Sequence, residues 1–309
     1  MFVLMLPSEI YTGFARPRLF GFSEQHFGAW LVDTGISSAV LTAFYLVGIL
    51  VIYRFIRSRP SQWVLWSVGV YFVLRTAYTL LSPGFIEPLT NDFRPLPEGP
   101  QKQRVLALAH ASAVENVEVV TSNASQQTRI PDAHVSGIGG WTRISVDDNT
   151  LDSSSGAMLR AVVGHELGHF VLHHEEWLVV TDTALMCLGF VFVAFMTGFV
   201  LQRWGPRLGI SGVGDISGLP VFWGAFLLWG FVSLPLTNAI SRFFEHQADL
   251  YSLELAHEPH GLAEFMIHAS DNARLKPTTL EYALFYTHPS DVERVQTAME
   301  WRAAHQVIK

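Results

Sequence analysis

Four long runs of apolar residues divide the chain, over residues 34–56, 62–81, 177–201 and 219–238. Each is long enough to cross a bilayer core as a helix, which takes about 20 residues. None shows the polar stripe expected of a helix on the surface of a water-soluble domain. A short Arg-rich stretch (Arg54, Arg57 and Arg59, then Pro60) joins the first two runs, the pattern of an antiparallel helical hairpin. Trp63, Trp66, Trp177, Trp204 and Trp223 stand near the ends of the runs, where indoles commonly anchor a helix at the membrane interface.

The polar segments are residues 82–176 and 241–309. The first opens on the Pro-rich stretch PGFIEPLTNDFRPLPEGP and passes through a helical pattern, QKQRVLALAHASAV, to three strand-like runs, VEVVTS, AHVSGIG and WTRISV. Gly139-Gly140 between the last two runs predicts a tight hairpin turn. LDSSSG then offers N-caps for a helix over residues 157–174. The second polar segment reads as helices interrupted near Lys276-Pro277 and at THPSD.

Composition strengthens the membrane reading. Half the residues are apolar and 15% are charged, against the usual quarter. A net charge of −7 argues against nucleic acid as a partner, which needs a basic stripe. The single cysteine, Cys187, excludes an internal disulfide and a cysteine-built metal site. The start, MFVLMLPSEIYTGFARPR, lacks the basic n-region of a cleavable signal peptide.

The candidate chemistry lies in AVVGHELGHF, which supplies His165, Glu166 and His169. On a helix, residues i and i+4 share a face, so both imidazoles can hold one metal ion. Glu166 is placed to take a proton from a water activated by that metal and pass it to a leaving amine. Gly164 and Gly168 leave room for another backbone to approach the helix. Polar side chains inside so apolar a helix, LRAVVGHELGHFVL, are costly unless they have partners. Catalytic zinc takes a third protein ligand. Glu245 in SRFFEHQADLYSLEL is the best candidate, with Asp249 one turn on to fix a ligand imidazole. By spacing alone His173, His174 and His246 remain rivals, although His173 and His174 read as surface residues at a helix end.

These motifs resemble, in order, those of the type 1 CAAX prenyl protease family of integral-membrane zinc metallopeptidases and its bacterial heat-shock relatives. LPSEIYTGF with GFSEQ, PGFIEPLTNDFRPLP, GWTRISVDDNTL, HELGH, SRFFEHQAD and THPSDVERV carry the resemblance across nearly the whole chain. It implies that Glu245 is the third zinc ligand and Asp249 its partner in the site. It implies a substrate-facing role for His288, which contacts the substrate carbonyl or stabilises the oxyanion, and places Asn238 and Arg242 where they shape substrate binding. Ala133, His134 and Val135 resemble the edge strand along which an extended peptide is laid. Asp132-Ala133-His134 stands where the family usually has Asn-Ala-aromatic, and the four apolar runs compare with seven membrane helices in the eukaryotic enzymes.

The resulting expectation is a mainly α membrane protein with about four transmembrane helices and an α+β gluzincin-type domain. Residues 1–81 form an N-terminal segment and first hairpin, 82–176 the catalytic segment, 177–240 a second hairpin and 241–309 the third-ligand and C-terminal helices. One Zn2+ and a peptide or membrane-protein substrate complete the site. Broad-specificity quality control and a non-catalytic peptide-binding role are the alternatives to processing of one defined substrate. The Lys/Arg count of the short loops would put the active site outside, whereas the resemblance implies a cytoplasmic catalytic face, which is the orientation expected here.

Overall fold

The computed structural model describes residues 2–138, 141–153, 155–269 and 275–306; the turn expected at Gly139-Gly140 lies outside them. The chain opens with two short helices, α1 (Phe2–Glu9) and α2 (Arg16–Leu19), joined by a π-helical turn. Two long helices follow, α3 (Phe27–Ser58) and α4 (Trp63–Leu81). The middle segment holds β1 (Phe93–Pro95), α5 (Pro100–Ala111), β2 (Val117–Ser122), β3 (Ala133–Ile138), β4 (Trp141–Asp147), α6 (Asp148–Ser153) and α7 (Gly156–Val171). Two further long helices, α8 (His174–Leu208) and α9 (Leu219–Ala256), precede α10 (Pro259–Ala269), α11 (Thr279–Phe285) and α12 (Asp291–Gln306).

Four helical stretches, Phe27–Ser58, Trp63–Leu89, His174–Leu208 and Ile216–Ala256, are long and apolar enough to cross a membrane. They match the four apolar runs but extend beyond them. α9 has 38 residues, about 57 Å at 1.5 Å per residue, against a hydrocarbon core of about 30 Å. Its C-terminal half therefore projects past the apolar run and carries Glu245 and Asp249 on the same rigid rod. Residues 176 and 240 both fall within continuous helices, α8 and α9.

Trp63 differs from the expectation of an interfacial anchor. It is 5% exposed and packs edge-on to Phe190 and at a tilt against Phe222, inside the bundle that also buries Ile56, Val193 and Ala225. Trp66, Trp177, Trp204 and Trp223 remain exposed. Arg75, a cation within an apolar run, finds partners on α8: its Nε lies 3.2 Å from Asp182 and its Nη2 3.8 Å from Glu175. Such pairing is what a charge at membrane depth requires.

The sheet has the order β1-β2-β4-β3, with β2 parallel to β4 and the other two pairings antiparallel. One face packs on α7: Val119, Ile144 and Val146 meet Met158, Leu159, Val162, Val163 and Leu167, with α5 adding Val105, Leu108 and Ala109. β3 is an edge strand. Asp147 N donates to the Asp132 carbonyl at 3.1 Å, so Ala133↔Val146 is a pair without mutual bonds. By alternation, the backbone groups of Ala133, Val135 and Gly137 face the free edge. The side chains of Ala133 and Val135 point into the core, while His134 is exposed.

Candidate metal centre

α7 begins where Ser155 caps it, its Oγ accepting from Met158 N at 3.0 Å. The helix is buried on nearly every side, which explains its lack of a polar face. Its close neighbour is α9, and the two glycines of AVVGHELGHF permit that approach. A Cβ at Gly164 would stand 3.1 Å from Ser252 Oγ, and one at Gly168 would stand 3.1 Å from both Ala248 Cα and Tyr251 Cβ. Ser252 Oγ also donates to the Ala161 carbonyl at 2.6 Å. This packing brings Glu245 against the two histidines one turn apart on α7.

Three side chains converge. His165 Nε2 lies 3.1 Å from His169 Nε2 and 3.3 Å from Glu245 Oε2, and His169 Nε2 lies 3.5 Å from Glu245 Oε1. Tetrahedral zinc with bonds of about 2.0–2.1 Å separates its ligand atoms by roughly 3.3 Å, so the set has the dimensions of a zinc site. Glu245 Oε2 is buried without a hydrogen-bond partner. His165 Nδ1 lies 2.9 Å from Asp249 Oδ1, and a proton there leaves Nε2 with its lone pair facing the Glu245 carboxylate. Something positive belongs between them. A proton could bridge one pair of these side chains, whereas a metal ion satisfies all three.

The electrostatics point the same way. Burial opposes a charge on His165, but the neighbouring Asp249 and Glu245 carboxylates prevail and raise its pKa to about 10. Burial, reinforced by the neighbouring His165, lowers His169 to about 3. Burial raises Glu166 to about 8. Asp132, just before β3, is raised as well, by the protein packed around its carboxyl.

The surroundings add groups that the motifs did not indicate. Arg294 on α12 is 7% exposed and grips Asp249 with two bonds, Nε to Oδ2 at 2.7 Å and Nη2 to Oδ1 at 2.6 Å. It lies inside THPSDVERV, where nothing in the spacing distinguishes it from a solvated helix residue. His174 corrects a second reading. It is 1% exposed, not a surface residue, and its Nδ1 lies 3.1 Å from His169 Nδ1. His173 is exposed, as expected.

His288 Nε2 stands 3.3 Å from Glu245 Oε1, with Thr287 Oγ1 2.9 Å from its Nδ1. It is open to a cavity of about 2260 Å³ that also touches His134, Glu166 and apolar side chains such as Phe44 on α3 and Leu74 on α4. Asn238 and Arg242 point elsewhere. Asn238 Nδ2 donates to the Ala283 carbonyl at 3.1 Å. Arg242 Nη1 donates to the carbonyls of Tyr282 and Tyr286 at 3.0 and 2.5 Å, with its guanidinium over the Tyr282 ring at 4.4 Å. Both tie α11 to α9, upstream of the loop that carries His288.

Comparison with known proteins fits this geometry. A family model described as Peptidase family M48 matches residues 95–302, and one described as CAAX prenyl protease N-terminal, five membrane helices, matches residues 1–92. Within the latter stretch, the described residues include α3 and α4 as long apolar spans. The uncharacterized metalloprotease YhfN of Bacillus subtilis (strain 168) is 27% identical over 96% of this chain and 72% of its own length. CAAX prenyl protease 1 of Saccharomyces cerevisiae is 27% identical over 96% of this chain and 68% of its own length. A crystal structure of S. mikatae Ste24p superposes with a TM-score of 0.79 at 22% identity, over 96% of this chain and 72% of that one, a likeness of fold. With a family match spanning two thirds of its length and a His-His-Glu group inside it, this multi-pass membrane protein belongs to peptidase family M48, the metallopeptidases.

Proposed function

We propose that the protein is a zinc-dependent endopeptidase that hydrolyses peptide bonds in extended substrates at the membrane face, with His165, His169 and Glu245 as ligands and Glu166 as general base. The observation that carries the reading is the convergence of two imidazole nitrogens and a carboxylate, with 3.1 Å between the nitrogens and 3.3 and 3.5 Å from them to the two Glu245 oxygens. Zinc bound there supplies Lewis acidity toward the scissile carbonyl and an acidified water. Glu166 accepts the proton from the attacking water and delivers it to the leaving amine. His288 donates toward the oxyanion as it forms. Asp249, held by Arg294, keeps the His165 proton on Nδ1 and so presents Nε2 to the metal.

The free edge of β3 offers the backbone groups of Val135 and Gly137 to an extended peptide, and His134 faces the cavity where a substrate side chain would lie. We place this catalytic face on the cytoplasmic side. Residues 82–176 and the projecting end of α9 form the catalytic unit, and the paired long helices form its membrane anchor. Several relatives carry the name CAAX prenyl protease 1, so a peptide ending in such a sequence is a first substrate to assay beside unmodified peptides. Mapping cleavage sites on several membrane proteins separates processing of one site from quality control, which cuts at many.

The test is Glu166→Gln. Cleavage should fall by several orders of magnitude while zinc content stays at the wild-type level, because the amide cannot take the proton and Glu166 is not a ligand. Cleavage by this variant at the wild-type rate would remove Glu166 from the mechanism.

A further inference from the structure

The two histidines of the metal group differ in what holds them. His165 has a carboxylate, Asp249, on its Nδ1. His169 has His174, 3.1 Å away from Nδ1 to Nδ1. The chain is bent to bring this about. α7 ends at Leu172, and His173 adopts a left-handed conformation, φ 58° and ψ 38°, a position that favours glycine. The turn starts α8 so that its first residue, His174, folds back over His169. There the ring stacks on Phe244, centroids 4.7 Å apart and planes 23° apart, and Phe244 directly precedes Glu245 on α9.

We propose that His174 is the positioning residue for His169: it accepts a hydrogen bond from His169 Nδ1–H and so fixes the tautomer that presents Nε2 to the metal. The proposal rests on the ligand set given above. The chemistry leaves one direction for the bond. An imidazole that binds a metal through Nε2 and stays neutral carries its proton on Nδ1, so His169 donates. His174 must then offer a lone pair on Nδ1 and keep its own proton on Nε2. A buried polar ring is costly unless it is bonded; the Nε2 of His174 is buried without a partner, so the Nδ1 bond is what gives the ring a role that an apolar residue stacked on Phe244 could not fill. Because Phe244 adjoins Glu245, the ring touches the supports of two ligands, one on α7 and one on α9.

An isosteric pair of variants separates positioning from packing. Asparagine places Oδ1 where histidine has Nδ1, while leucine places a methyl group there, and both lose the aromatic stack. Zinc affinity is measured by competition with a chromophoric chelator on the purified full-length protein in detergent. Loss of such a partner typically costs 10–100-fold. His174→Leu should show a loss of that order, His174→Asn should recover most of it, and peptide cleavage at saturating zinc should recover in parallel. Equal affinities for His174→Leu and wild type would overturn the proposal, and so would an Asn variant as weak as Leu. A wild type that binds no zinc would instead overturn the ligand set beneath it.

One measurement needs no variant to fold. In zinc-loaded, 15N-histidine-labelled wild type, a 15N–15N coupling across the bond should link the two Nδ1 atoms, with His174 in its Nε2–H form. A His174 protonated on Nδ1, with no such coupling, would overturn the proposal.

Discussion

Asp249 accepts from two directions at once, from His165 Nδ1 at 2.9 Å and from Arg294 through both of its oxygens. Removing it leaves a buried guanidinium without its counter-ion and, in the proposed zinc site, the His165 imidazole without its orienting partner. Asp249→Ala should therefore weaken zinc binding by about 10–100-fold and destabilise the fold by about 3–5 kcal/mol, read by chelator competition and by chemical denaturation. Unchanged zinc affinity would mean that His165 is oriented by some other group. Asp147 gives a prediction in pH. Burial raises its pKa to about 7, a bond from Ser122 works against the shift, and Asp132 and Asp148 add to it. Between about pH 4 and pH 7 the folded protein thus holds a proton that the unfolded chain releases, and stability falls as pH rises through that window. Asp147→Asn should flatten that part of the stability profile; an unchanged slope would assign it to other groups. At this scale the sequence was legible where the chemistry is local. His165, Glu166 and His169 stand on one turn of one helix. Arg294 was not legible, because its meaning depends on a contact 45 residues away in sequence. His174 was misread because a helix end usually faces water, and here a left-handed residue turns it inward.

α9 joins a membrane span to the metal group without a break, and its approach to α7 depends on the absence of two side chains. A Cβ at Gly168 would lie 3.1–3.2 Å from three atoms of Ala248 and Tyr251, two of them backbone. Gly168→Ala should cost about 1–3 kcal/mol through overpacking, in spite of the higher helix propensity of alanine. It should also weaken zinc binding by moving Glu245 away from the histidines. Wild-type stability and affinity together would show that α9 has room to shift. The apolar runs located all four long helices, because length and uniform hydrophobicity are properties of each segment alone. Their true ends were hidden. SRFFEHQADLYSLEL changes composition at the end of the apolar run, but the backbone continues as helix through Ala256. Trp63 escaped for the complementary reason: an indole at a run's end marks an interface only if no neighbouring helix covers it, and Phe190 and Phe222 cover this one.

The molecule as a whole sets a His-His-Glu group at one wall of a large cavity, between a small sheet with a free edge and a set of long apolar helices. None of that enclosure could be read from the chain, because it depends on how α3 and α4 stand against α8 and on the anchoring of Arg75 by Asp182. What the sequence did offer was two distant segments, HELGH and SRFFEHQAD, whose resemblance to a known family implies that they serve one ion, and the structure brings their His165, His169 and Glu245 together. The most direct test is the zinc content of purified wild type and Glu245→Ala, measured by elemental mass spectrometry after dialysis against a moderate chelator. One zinc per chain in the wild type and a near-complete loss in the variant is the predicted result. Full zinc in Glu245→Ala, or none in the wild type, would contradict it.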